Sequence, residues 1–200
     1  MTGPDDILPA YEREATRWAR ERNLSLWEEP ALLAAVTGRA PGLAVLDLGC
    51  GSGEPIAAWF VARGDRVTGV DGAAAMIAEF RARVPGAEAL VADMRALSLG
   101  RRFDVIVAFN SFFHLSPADQ RAMFPVFAAH ATPGARLLFT AGPAAGEAVG
   151  QVGDSPVYHA SLAPEDYRAL LAEAGFSVVW FRPEDAELKG HSVWLAETRA

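Results

Sequence analysis

Three features of the 200-residue sequence predict an α/β fold, a mostly parallel sheet covered by helices. From residue 43 onward, short β-like runs alternate with helix-like stretches, the order in which parallel strands and crossover helices follow one another. Each run is dominated by Val, Leu, Ile, Ala or Phe and has no polar side, as expected when helices cover both faces of a sheet. The helix-like stretches carry their own start and stop residues. Half of the chain is apolar (51%), enough for one sizeable core. A helical segment over 1–42 is expected to precede an α/β domain over 43–200.

Residues 5–37 read as helical, with Tyr11, Ala15 and Trp18 on one stripe and Trp27 further on. That stripe either packs on the helical layer or also forms a lid over a substrate site, Tyr11 and Trp18 then being substrate-binding residues. Strands are predicted over Leu43–Leu48, Arg66–Asp71, Glu88–Ala92, Asp104–Phe109 and Arg136–Thr140. Pro55 suits the first helical position and Gly64 closes that helix. Ser116-Pro117-Ala118-Asp119 reads as a capped helix start, and Pro164–Ala174 as a helix stopped by Gly175. Two last strands, Phe176–Phe181 and Ser192–Ala196, are joined by a loop short enough for an antiparallel return. Residues 141–160, rich in Gly, Pro and Ala, read as the longest stretch without periodicity, a loop of a length that is often functional or mobile.

Composition narrows the function. The formal net charge of −7, with Lys189 the only lysine, speaks against a nucleic-acid partner, whose recognition depends on neutralising phosphates. No apolar run is long enough to span a bilayer, and Asp5, Asp6, Glu12 and Glu14 crowd the region where a secretory signal would be apolar, so a soluble cytoplasmic protein is expected. The single cysteine, Cys50, forms no internal disulfide and has no metal-ligand spacing around it, so no metal is expected.

VLDLGCGSGEP, residues 45–55, carries the chemistry. Glycines after a buried strand let the backbone turn sharply and approach a nucleotide-like ligand closely. The spacing is G-x-G-x-G, with Glu54 in the sixth position where the dinucleotide fingerprint has glycine; a carboxylate there repels a pyrophosphate, so a ligand without phosphate is favoured. Asp71 ends the next strand, where a carboxylate can accept from both hydroxyls of an unphosphorylated ribose. The third strand ends in Asp93-Met94, an acid for an adenine amino group and a thioether for its face.

Taken together, VLDLGCGSG, VTGVD, VADM and FDVIVAFNSFFHL make the chain resemble the class I S-adenosylmethionine-dependent methyltransferases over about residues 43–197. FFHLSPADQ, GPAAGEAVG, YHASLAPEDY and GHSVWLAE are similar to a bacterial small-molecule branch of that family. The resemblance implies a Rossmann-like, doubly wound sheet of seven strands, mostly parallel with an antiparallel last strand and helices on both faces. It also implies S-adenosylmethionine as cofactor, with Gly49, Gly51 and Gly53 at the methionine part, Asp47 near its amino group, Asp71 on the ribose and Asp93 with Met94 at the adenine. Cys50, Gly72 and Asn110 are counted with these cofactor-binding positions, the Cys50 thiol being read as small loop filler.

Methyl transfer from a sulfonium chiefly needs alignment, and a base is needed only for acceptors that must lose a proton. His114, after the fourth strand, is the first candidate base; His159, beside Tyr158 in the long loop, is the second. His130 reads as a helix C-terminal residue and His191 as the start of the last strand. Enzymes of this family acting on nucleobase amines generally follow an acid, asparagine or serine here with two prolines and an aromatic; Asn110-Ser111-Phe112-Phe113 has no prolines, which again disfavours a nucleobase. The Phe112-Phe113 pair reads as substrate wall or core, with Phe113 and Tyr158 as substrate-binding candidates. The expected function is methyl transfer to a small organic acceptor at O, N, S or C. A non-catalytic module binding S-adenosylmethionine or S-adenosylhomocysteine, and a nicotinamide-dependent oxidoreductase, are the alternatives.

Overall fold

A computed structural model describes residues 2–22 and 24–199, so Asn23, within the predicted helical stretch, lies outside the described residues. The strands are β1 (Ala44–Leu48), β2 (Arg66–Asp71), β3 (Glu88–Val91), β4 (Phe103–Ala108), β5 (Ala131–Ala141), β6 (Gly146–Val152), β7 (Ser155–Ser161), β8 (Phe176–Asp185) and β9 (His191–Thr198). The helices are α1 (Ile7–Glu21), α2 (Glu29–Val36), α3 (Ile56–Arg63), α4 (Ala74–Arg83), α5 (Pro117–His130) and α6 (Pro164–Glu173). Seven strands form one sheet in the order β3-β2-β1-β4-β5-β9-β8. The first five run parallel, and β9 lies antiparallel between β5 and β8, as predicted.

Each face of the sheet has its own core. Phe112, Phe124, Phe127, Phe139, Tyr167 and Trp194 fill the side under α5 and α6. Leu32, Phe60, Ile77 and Phe80 fill the other, under α2, α3 and α4. The strand order reverses between β1 and β4, and at such a switch point the loops beyond the carboxyl ends diverge and leave a crevice.

Ser116 caps α5 by accepting from the Asp119 N–H, and Gly64 closes α3 at a φ of +94°. Pro55 is the residue before α3 rather than its first helical residue, and follows a cis Glu54–Pro55 bond. The predicted helical stretch 5–37 is broken: α1 ends at Glu21, Arg22 turns to an extended conformation, Trp27 lies in the connection and Pro30 opens the first turn of α2. The break divides the labour, since α2 packs in the core while α1 lies over the carboxyl end of the sheet.

The clearest departure concerns residues 141–160. Most of that stretch is a β-hairpin, paired from Gly146↔Ser161 to Val152↔Ser155. The two-residue Gly153-Asp154 connection is a recognised hairpin signal. Weak intrinsic strand formers pair here because α1 covers them: Ile7 and Ala10 pack against Val152, Val157 and Ala160. Arg17 reaches Asp154 at 2.7 Å, and Ser155 bonds to Glu14 at 3.0 Å. His130 and His191 sit as expected at a helix end and a strand start, His130 accepting from the Leu99 N–H through Nε2. No described helix is long and apolar enough to cross a membrane.

Candidate active site

The loop after β1 turns at Gly49, whose φ of +70° favours glycine. A Cβ there would stand 2.2 Å from the Cβ of Ser111, because the loops after β1 and β4 touch and the Ser111 hydroxyl donates to the Leu48 carbonyl at 2.6 Å. Beyond this contact opens a cleft whose empty space, about 810 Å³, includes part of the open solvent at its mouth. Gly49, Gly51, Asp71, Gly72, Asp93, Met94 and Asn110 line it from the sheet side. The acids at the ends of β2 and β3 and the loop after β1 thus meet around one space.

Asp71 is held by backbone, its Oδ2 accepting from the Gly51 N–H at 3.0 Å and its Oδ1 from the Ala73 N–H at 2.9 Å. Burial raises its pKa and those two N–H groups pull it back. Asp93 is gripped by Arg95 at 2.6 Å, a partner in the same cleft, which keeps its carboxyl below the usual range. The Asn110 Oδ1 is buried without a partner, on a residue forced to a φ of +53°.

Three of the expected cofactor positions lie outside the lining. Asp47 is buried beneath the loop, and burial pushes its carboxyl up to about 7 while the charge of Arg22 draws it down. The Cys50 thiol packs against the core beside Gly69, its pKa raised by burial, in keeping with a filler. Gly53, at a φ of +82°, has no room for a side chain: a Cβ there would stand 2.7 Å from Phe80 and from Val84.

Helix α1 roofs the cleft with Ile7, Leu8, Tyr11 and Trp18, and Arg22 follows at its end. Leu8 covers Gly72, and Glu12 accepts from the Ala75 N–H at 3.0 Å, tying the roof to α4. The Arg22 guanidinium lies over the Trp18 ring at 4.5 Å and 3.7 Å from Glu28. It makes no side-chain hydrogen bond among the described residues, although burial lowers its pKa. Arg22, Trp27 and Glu28 are site residues missed in the sequence; Arg22 stands four residues after Trp18 on the stripe, but its inward direction depends on where α1 stops.

A second chamber of about 700 Å³, also open to solvent in part, adjoins the first and shares Tyr11, Trp18, Arg22, Asn110 and His114 with it. Trp27, Glu28, Phe113, Gln151, Val152, Val157 and His159 complete its wall. The alternative posed for the aromatic pair resolves into both: Phe112 is wholly buried in the core, and Phe113 faces the chamber, 4.7 Å from the His159 ring. Tyr158 is turned away by strand alternation, so its side chain lines neither chamber and only its carbonyl takes part.

The two candidate bases differ. His114 Nδ1 donates to the Tyr158 carbonyl at 2.8 Å, which leaves Nε2 as the acceptor of the Tyr11 hydroxyl at 2.9 Å. Both nitrogens are engaged, and burial pushes the imidazole down to about 4. Burial also raises the Tyr11 hydroxyl, with the Asp71 charge adding to it. His159 makes no hydrogen bond through its ring among the described residues, is half-buried, and is lowered by burial alone. Gly150, diagonal to His159 across the hairpin, leaves room for that ring, since a Cβ there would stand 2.6 Å from it.

A methyltransferase domain model matches residues 45–134. The chain is 30% identical over 172 residues to trans-aconitate 2-methyltransferase of Azoarcus sp. (strain BH72), a match spanning 69% of this chain and 66% of that protein's length. Among solved structures it is similar to the S-adenosylmethionine-bound amino pentose methyltransferase of Micromonospora echinaspora (TM-score 0.69, 23% identity, 92% of this chain and 95% of that one). It is also similar to the 1,6-didemethyltoxoflavin-N1-methyltransferase of Burkholderia thailandensis with bound S-adenosylhomocysteine (TM-score 0.71, 21% identity, 98% and 87%). The matched domain model, the curated relative and a fold shared with S-adenosylmethionine-bound enzymes agree with the cleft's own residues: residues 45–134 form a methyltransferase domain, in a chain similar to the class I S-adenosylmethionine-dependent methyltransferases.

Proposed function

We propose that the protein transfers the methyl group of S-adenosylmethionine to a small organic acceptor seated in the second chamber, with α1 as the roof that keeps water from both. The observation that carries this reading is the pair of adjoining cavities that share a wall at Tyr11, Asn110 and His114, one lined by Asp71, Asp93 and Met94 and the other by aromatic side chains. The donor set fits the cofactor. Asp71 has lone pairs left for ribose hydroxyls, Met94 offers its thioether to the adenine face, and the unpartnered Asn110 Oδ1 calls for a donor such as an ammonium. Arg22, whose guanidinium makes no side-chain hydrogen bond among the described residues and lines the same cleft as Gly51, is suited to the methionine carboxylate. Asp93 presents its edge to the cleft from within its Arg95 pair.

The bound cofactor supplies an electrophilic methyl group on a sulfonium, whose S–C bond breaks as the bond to the acceptor forms, leaving S-adenosylhomocysteine. The protein's part is to orient the acceptor and exclude water. Where the acceptor must lose a proton, His159 is the catalytic residue that takes it, because its imidazole is neutral, unengaged and on the chamber wall. His114 is a positioning residue, which joins Tyr11 of the roof to the Tyr158 carbonyl of the hairpin. Calorimetric titration with S-adenosylmethionine, S-adenosylhomocysteine and NADH, after removal of carried-over ligand, tests the donor site. Binding of the first two and silence from NADH is expected, and the reverse overturns the reading. Mass-spectrometric detection of methylated products from an acceptor panel then separates an enzyme from a binding module.

A further inference from the structure

We propose that the second chamber takes a planar, uncharged aromatic or heteroaromatic acceptor that presents an N–H or O–H group to Glu28, and that it does not take polycarboxylates. The inference rests on the methyltransferase reading and narrows it to a substrate class. Three facts about the wall lead there.

The first is shape and surface. Trp27 is braced between Phe109, 5.7 Å away, and His191, 4.4 Å away, so one wall is a fixed indole. Phe113 forms another, its ring at 4.7 Å from His159 and 4.8 Å from His114. Rigid rings of this kind suit a flat molecule, whose faces they cover at little entropic cost.

The second is charge. Among the described residues Arg22 is the only Lys or Arg on the chamber wall, and Glu28, 3.7 Å from it, is the only acid. The two histidines add no charge near neutral pH, since burial lowers both. Arg22 is already matched, by Glu28 and, with the cofactor bound, by the cofactor's carboxylate, so a tricarboxylate of about three negative charges would lose its hydration without meeting an unmatched cation.

The third is an unmet hydrogen bond. Glu28 is 1% exposed and lines the chamber, yet its Oε2 has no partner. Buried oxygens without a donor are uncommon in folded proteins and favour a ligand that supplies one. An acceptor with an N–H or O–H supplies it, and a fully ionised carboxylate cannot.

The test is calorimetry and thermal shift on the full chain saturated with S-adenosylhomocysteine, using 2-hydroxyquinoline, indole and benzimidazole against trans-aconitate and citrate. At least one ring is expected to bind with a sub-millimolar Kd, and the tricarboxylates to be silent at 5 mM. Phe113→Ala, or Phe113→Leu if the alanine variant does not fold, should weaken ring binding about tenfold. Quinoline, which lacks the donor, should bind at least about fivefold more weakly than 2-hydroxyquinoline. Silence from all three rings, binding of either tricarboxylate, or ring binding indifferent to both Phe113 and the donor group overturns the proposal. Failure of S-adenosylhomocysteine itself to bind would appear in the preceding titration and would overturn the donor reading instead.

Discussion

Asp71→Asn probes the donor site at the residue whose surroundings are best defined. Its two oxygens accept from the Gly51 and Ala73 N–H groups at 3.0 and 2.9 Å, so the carboxylate holds the loop after β1 against the start of α4 as well as facing the cleft. An amide keeps one accepting oxygen and turns a donor toward the other N–H, which leaves a backbone group unpaired at about 1–3 kcal/mol of stability. The affinity consequence is separate. Hydrogen bonds to a charged acceptor contribute about 1.5–3 kcal/mol, so losing the charge opposite the ribose hydroxyls should weaken donor binding roughly 10- to 150-fold. Calorimetry with S-adenosylmethionine, S-adenosylhomocysteine and adenosine measures the second effect, because all three carry the ribose, and urea unfolding measures the first. Affinities within twofold of the unmodified protein for all three ligands would refute the assignment of Asp71 to the ribose, whatever happened to stability.

Three further outcomes are expected. Gly49→Ala must place a Cβ at φ +70° and 2.2 Å from Ser111 Cβ, whereas Gly38→Ala, at φ +76°, meets nothing within 4 Å. The left-handed conformation costs each about 1–2 kcal/mol, so urea midpoints should fall clearly further for Gly49→Ala, and equal losses would refute the contact between the two loops. His114 carries a folded-state pKa of about 4 against an ordinary 6.5, so in that window the unfolded chain binds the extra proton and acid removes stability. The full difference is about 3 kcal/mol, present above pH 6.5 and lost as pH falls toward 4; His114→Gln should flatten that part of the curve relative to the unmodified protein, and parallel curves would refute it. Arg22→Met should weaken S-adenosylmethionine about tenfold while sparing 5′-methylthioadenosine, which has no carboxylate, on the usual scale of a charge-assisted bond. Equal loss for both would place Arg22 elsewhere than at the methionine end.

Much of this protein is readable along the chain because parallel strands and their helices are local. The apolar runs ending at Leu48, Asp71 and Val91, and the Gly64 stop, depend on periodicity and backbone preference within a few residues, and the structure places them within a residue or two of expectation. The donor cleft is legible for the same reason: Gly49, Asp71 and Asp93 stand at strand ends, and a parallel sheet brings its carboxyl ends to one edge. What the tertiary structure decided lies in pairings between distant segments. The hairpin over 146–161 exists because α1 covers Val152, Val157 and Ala160, a contact no local window contains. The roles of the two histidines separate because Tyr11, 103 residues before His114, occupies one of its nitrogens, and because strand alternation turns His159 inward and Tyr158 away. Glycine tells the same story from both sides: at Gly49 the positive φ is written in the motif, whereas at Gly53, where φ is also positive, the neighbours that exclude a side chain are Phe80 in α4 and Val84 just after it, 27 and 31 residues on. Strand ends and glycine turns are set by short-range sterics, while the second chamber is set by which side chains long-range packing leaves facing an empty space.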